Sequence, residues 1–89
     1  SMDSLAQAAC LSAGFSPDVS RIVDRGYDNS FGCVRVRFAE NAVAGHGAVE
    51  AEIVDGGFNV RRFDAGGIRR ESKFVQACDV LPPAPGEYN

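Results

Sequence analysis

The strongest constraint on this chain is a two-residue alternation through its middle. In Cys33-Val34-Arg35-Val36-Arg37-Phe38, one side carries Val34, Val36 and Phe38, and the other Cys33, Arg35 and Arg37. In Val49-Glu50-Ala51-Glu52-Ile53 the apolar residues again take every second place, but the polar side is acidic. Side chains alternate across a strand with period two, so both runs read as strands with one buried face. Residues opposite one another on neighbouring strands interact, so the Arg side and the Glu side are expected to pair on the open face of a sheet. That pairing absorbs the charges most easily mistaken for a site.

The same reading extends outward. Asp55-Gly56-Gly57 is a hairpin signal, because Gly accepts the positive φ of a tight turn. A third strand follows over about Phe58 to Phe63, with Phe58 and Val60 on one side. Phe63 falls on the other side with Asn59 and Arg61, so either a bulge shifts the phase or Phe63 packs outside the sheet. Asp64-Ala65-Gly66-Gly67 is a second turn. The expected inner layer is Val34, Val36, Phe38, Val49, Ala51, Ile53, Phe58 and Val60.

Helices are expected on either side of these strands. Asp3 or Ser4 can cap a first helix running to Ala13, with Gly14 ending it. Ser16-Pro17-Asp18 reads as the start of a second helix, since Ser caps, Pro has no N–H to lose and Asp favours the positive end of the dipole. Val19, Ile22 and Val23 would be its apolar stripe and Gly26 its stop. Phe74, Ala77, Cys78 and Leu81 stand at i, i+3, i+4 and i+7, which predicts a third helix over 71–81. A strand from Lys73 to Val80 is the competing reading. The expected fold is α+β: a three-stranded antiparallel meander with two N-terminal helices and a C-terminal helix packed on one face. It forms a single domain over residues 1–81, followed by a flexible Pro-rich tail over 82–89.

Ser1 ahead of Met2 reads as a cleavage remnant. The chain has 89 residues and a net charge of −3, a balance that argues against general nucleic-acid binding. No apolar run is long enough for a transmembrane helix or a signal-peptide core, so no membrane contact and a cytoplasmic location are expected. Cys10, Cys33 and Cys78 are an odd set without CxxC spacing, which suits reduced, mostly buried thiols rather than zinc or a disulfide framework. An exposed one among them could bridge a homodimer under oxidising conditions.

Catalytic motifs are missing. His46, the single histidine, lies between Gly45 and Gly47 and reads as a solvated loop residue. Gly45-His46-Gly47 lacks the spacing of a phosphate loop, and neither Gly56-Gly57 nor Gly66-Gly67 fits a dinucleotide fingerprint. Asp55 and Asp64 occupy turn positions, where their carboxylates bond to backbone. No enzyme activity, cofactor or metal is expected.

Charge is distributed unevenly. Residues 1–57 carry four Arg against eight acids, whereas 58–73 carry four Arg and Lys73 against Asp64 and Glu71. Guanidinium forks bind carboxylate and phosphate bidentately, so Arg61, Arg62, Arg69 and Arg70, with Phe63, form the expected partner-binding edge. The reading is a small non-catalytic protein-interaction module, with a homodimer by sheet extension as one form of partnership. Its size, mild acidity and lack of motifs are those of phage or mobile-element inhibitors of host machinery such as anti-CRISPR proteins, an analogy of class and not a family match. The alternative is a nucleic-acid-binding accessory protein using the Arg-rich turn. Val36→Asp places a charge in the expected core and should abolish cooperative unfolding; a cooperative thermal melt of that variant would reject the strand register.

Overall fold

The computed structural model describes residues 1–41 and 45–81. One helix, α1 (Met2–Ser12), precedes five strands: β1 (Pro17–Asp28), β2 (Gly32–Glu40), β3 (His46–Val54), β4 (Gly57–Asp64) and β5 (Arg69–Gln76). The strands form one antiparallel sheet in the order β1-β2-β3-β4-β5. A 3-10 turn, Ala77–Asp79, follows β5. The three-stranded meander expected from sequence is the centre of a five-stranded one, and two of the three expected helices are its edge strands. The predicted tail over 82–89 lies outside the described residues, as do residues 42–44 of the β2–β3 connection.

The central register is the one the alternation implies. Arg35 pairs with Glu52, Val36 with Ala51, Arg37 with Glu50 and Phe38 with Val49. Across the next pair, Glu50 faces Arg61, Ala51 faces Val60 and Ile53 faces Phe58. Val36, Phe38, Val49, Ala51, Phe58 and Val60 are buried on the inner face, joined from β5 by Val75. Asp55-Gly56 makes the two-residue turn between Val54 and Gly57, and Gly56 takes the required positive φ of 80°.

Two members of the expected inner layer lie elsewhere. Gly26 pairs with Arg35 and Tyr27 with Cys33, which leaves Val34 as the extra residue of a bulge. The bulge turns Cys33, not Val34, toward the core cluster. Ile53 is on the inner side but 43% exposed and lies outside the buried core cluster.

The helix packs through small residues. Its buried side chains are Ala6, Ala9 and Cys10, followed by Ala13 just past its end, with Met2 and Leu5 partly buried beside them. Small residues at this spacing let the helix axis sit close to the sheet, while Val and Phe supply the bulk from below. Ser1 caps the helix by accepting from Ser4 N at 3.4 Å, two or three residues before the caps expected at Asp3 or Ser4. Phe15, buried after the Gly14 turn, closes one end of the core.

The segment expected as a second helix is β1. Its cap-like signature is real chemistry put to another use: Asp18 Oδ1 accepts from Ser20 N at 3.1 Å and Ser20 Oγ at 2.6 Å, a local turn inside an irregular strand. Pro17 pairs with Glu40 and Ile22 with Phe38, so three extra residues loop out between them, and Val23 is a further bulge. Three β-branched residues, Val19, Ile22 and Val23, favour the extended form once β2 offers a free edge. Gly26, the expected stop, lies mid-strand. A Cβ there would meet Arg35 Nε at 2.8 Å, so glycine leaves the space in which that guanidinium lies.

The segment expected as a third helix is β5 and the 3-10 turn. Phe74 is 54% exposed on the outer face, so the i, i+3, i+4, i+7 pattern marked no buried stripe. The competing strand, expected over Lys73 to Val80, is instead Arg69–Gln76, where β4 supplies the ladder, and Ala77–Asp79 form the 3-10 turn. Gly57 marks how closely these strands approach, because a Cβ there would run into the Val75 carbonyl. Gly57→Ala should therefore loosen β5 and cost roughly 1–3 kcal/mol; an unchanged denaturation midpoint would contradict the close β4–β5 approach.

Candidate functional site

The open face of the sheet carries an ion lattice centred on Glu50. This carboxylate is only 3% exposed although, among the described residues, no second layer covers it. Its Oε1 accepts from Arg35 Nη1 at 3.1 Å and from Arg37 Nε at 2.9 Å, and its Oε2 accepts from Arg61 Nη1 at 2.8 Å. Arg35 continues to Asp24 at 2.7 Å and Arg61 to Glu52 at 2.9 Å. The guanidinium of Arg37 lies 4.2 Å above the Phe63 ring. Phe63 thus packs outside the sheet, under a cation, and no phase shift near the double glycine is needed.

A second polar cluster closes the opposite face near the start of β3. Arg62 holds Glu40 bidentately, Nε to Oε1 at 2.7 Å and Nη2 to Oε2 at 3.0 Å, and reaches Glu71 through Nη1 at 2.9 Å. Its guanidinium stands 4.1 Å over Phe15, and Lys73 Nζ lies 4.8 Å from the same ring while donating to Ala13 O at 2.9 Å. His46 begins β3 and is not a solvated loop residue: its Nδ1 is buried, without a hydrogen bond, 3.8 Å from Glu40 Oε2.

The sequence-expected partner edge is divided by this geometry. Arg61 and Arg62 are adjacent in β4 and so point to opposite faces, each held by two carboxylates. Arg70 pairs with Asp64 at 2.8 Å and remains exposed. Arg69 donates to Ser72 Oγ and is opposite Phe63. The turn brings together Arg69, Phe63 and the edge of the Glu50 lattice, but not Arg62. Asp64 serves the turn itself, accepting from Gly66 N and Ile68 N.

The thiols are distributed differently from the expectation of burial. Cys10 is buried, Cys33 intermediate and Cys78 exposed, and all three are free. Burial pushes the Cys10 thiol up to about 12, with Glu40 and Glu50 adding to the effect, so it stays protonated at neutral pH. Among the described residues no group of three His, Cys, Asp or Glu side chains could hold a metal ion, and no helix is long and apolar enough to cross a membrane.

Sequence reasoning missed one concave feature. The β1–β2 and β3–β4 hairpin tips lie at the same end of the sheet, and between them is an open groove of about 690 Å³. Phe31, Val34, Ile53 and Val54 line it with Cys33, and Asp28, Glu52 and Asp55 supply its charge. Phe31 is 83% exposed, on the last residue before β2. The signal was present in Ser30-Phe31-Gly32, where a large aromatic sits inside a polar turn and contributes to no alternation. Comparison with family models, curated proteins and solved structures found no match.

Burial raises the pKa of Glu50, but hydrogen bonds from Arg37 and Arg61 and the charges of Arg37 and Arg35 outweigh it and hold the carboxyl below its ordinary range. The stability this contributes is present at neutral pH and is lost as pH falls through the folded-state value. Glu50→Ala leaves three guanidiniums facing one another and should cost about 3–5 kcal/mol. Glu50→Gln should flatten the acid limb of stability against pH; an unaltered urea midpoint profile below neutrality would show that the lattice carries no such linkage.

Proposed function

We propose that this protein is a small non-catalytic protein-interaction module whose contact surface is the groove between the two hairpin tips. The observation that supports this most is the composition of that groove. Its lining joins accessible apolar side chains to three carboxylates, and among the described residues it includes no cationic side chain. Glu52 is shared with Arg61, whereas Asp28 and Asp55 make no ion pair among the described residues. Exposed apolar patches rimmed by polar groups mark interaction sites, and aromatic residues are enriched at interface cores with a polar rim around them. The complementary partner presents an aliphatic or aromatic side chain flanked by Lys or Arg, the first to fill the groove and the second to meet its acidic rim.

The Arg-bearing edge of Arg61, Arg62, Arg69, Arg70 and Phe63 supports a partner less strongly, since three of its four guanidiniums are already held by carboxylates. The nucleic-acid reading weakens for the same reason, because phosphate would have to displace those partners. An inhibitor of host machinery carried by a phage or mobile element is a finer form of the interaction reading. It draws its support from size and the absence of catalytic motifs, and a cytoplasmic location belongs with it.

The test is an NMR titration with short peptides in which a Phe or Leu is flanked by Lys or Arg. Shifts are expected at the amides of Phe31, Ile53 and Asp55, with affinity falling as salt is raised and lost in Phe31→Ala. Shifts confined to Arg69 and Arg70, or a gel shift with RNA or DNA at low salt, would move the contact surface to the Arg-bearing turn.

A further inference from the structure

The two edges of the sheet are not equivalent. β1 is broken by the residues that loop out after Pro17 and by the bulge at Val23. Interruptions of this kind prevent a second strand from docking. β5 pairs with β4 without a break from Glu71 to Gln76, and its only irregularity is at Arg70. Among the described residues no strand lies on its other side.

The hydrogen-bond pattern fixes which main-chain groups that side presents. Ala77 N donates to Gly56 O at 3.0 Å. Antiparallel pairs alternate between hydrogen-bonded and non-hydrogen-bonded, so Val75, Lys73 and Glu71 share Ala77's orientation and face β4. The position of the Val75 carbonyl against Gly57 agrees. The N–H and C=O groups of Ser72, Phe74 and Gln76 therefore point away from the sheet.

Lysine on an edge strand is a common guard against further pairing. Here Lys73 does not serve as one, because its ammonium is drawn back over the inner face to Ala13 O and the Phe15 ring. Glu71 lies on the same face and gives only Oε1 to Arg62.

We infer that β5 pairs antiparallel with β5 of a second copy, about a two-fold axis at Ser72. The strand's own charges select that centre. A two-fold at Glu71 or Lys73 would set like charges opposite one another, which is unfavourable. A centre at Phe74 would bring the Ala77–Asp79 turn opposite Glu71 and leave Lys73 facing only Val75. At Ser72 no like charges are opposed, since the position facing each Glu71 is the partner's Lys73, and Ser72, whose main-chain groups point outward, pairs with itself. The interface is isologous and closed, so it ends at two copies. It does not rest on the groove reading and can stand or fall separately.

Sedimentation equilibrium of the native chain should show a species of twice the 9.4 kDa chain mass growing with concentration. Ser72→Pro removes an N–H that β4 does not use, so the fold is expected to survive while the dimer is lost. A second variant stands apart from that assumption. Ser72→Cys in a Cys78→Ser background, with oxidised glutathione, should give an intermolecular disulfide, since opposed Cα atoms in such a pair lie about 5.5 Å apart. A native chain that remains monomeric at millimolar concentration, a Ser72→Pro dimer, or cross-linking through Phe74→Cys but not Ser72→Cys would each overturn the inference.

Discussion

Glu50 occupies the middle of a sheet face that no other element covers among the described residues, yet water scarcely reaches it, because Arg35, Arg37 and Arg61 close over it from three directions. The rest of the outer face depends on this arrangement. A single-layer sheet of this size needs one face that tolerates solvent without offering a flat apolar surface to other chains. Alternating Arg and Glu strands meet that need: each guanidinium covers aliphatic surface with its stem while its head meets a carboxylate. The lattice is near neutral, so it is a poor attractor for phosphate despite its three arginines. Its individual exposed pairs are each worth about 0–1 kcal/mol, and its weight lies in the one enclosed carboxylate that all three arginines share.

The inner face is governed by a mismatch of dimensions. Five strands at about 4.8 Å spacing make a sheet roughly 19 Å across, whereas an 11-residue helix is about 16 Å long. One helix cannot cover that width together with the full length of the strands. The polar cluster of Glu40, Arg62, Glu71 and Lys73 seals one end, using cations stacked on Phe15 where apolar cover runs out. At the other end no such seal is found among the described residues. Ile53 and Phe31 stay exposed there, and the groove is the consequence.

The centre of the fold was legible in the sequence because its signals are local and mutually consistent. Alternation, turn chemistry at Asp55-Gly56 and the opposition of Arg and Glu all imply one register, and β2, β3 and β4 adopt it. The edges were not legible because their extended form depends on partners distant in sequence. Pro17 to Gly26 has both a helix-start signature and β-branched residues, and the free edge of β2 decides between them. The period-four spacing from Phe74 to Leu81 is genuine but spans a strand and a 3-10 turn. Among the candidate residues, Arg61 and Arg62 looked like one cluster because sequence adjacency was read as spatial adjacency. In a strand adjacency means opposite faces, and each arginine was claimed by acids 9 to 22 residues away.

The two exposed features of the sheet are at different places and constrain one another. The groove lies at the hairpin-tip end, between β1–β2 and β3–β4, while the uninterrupted free edge is β5. A two-fold axis through an antiparallel β5 pair reverses the strand direction from one copy to the next. The hairpin tips of the two copies then point in opposite directions, and the grooves fall at diagonally opposed corners of a continuous ten-stranded sheet. Both helices remain on one face of it and both Glu50 lattices on the other. Neither groove is occluded by such pairing, because none of its lining residues belongs to β5. A dimer of this form would engage two target segments running in opposite directions, so it suits a partner that is itself two-fold symmetric better than a single extended chain.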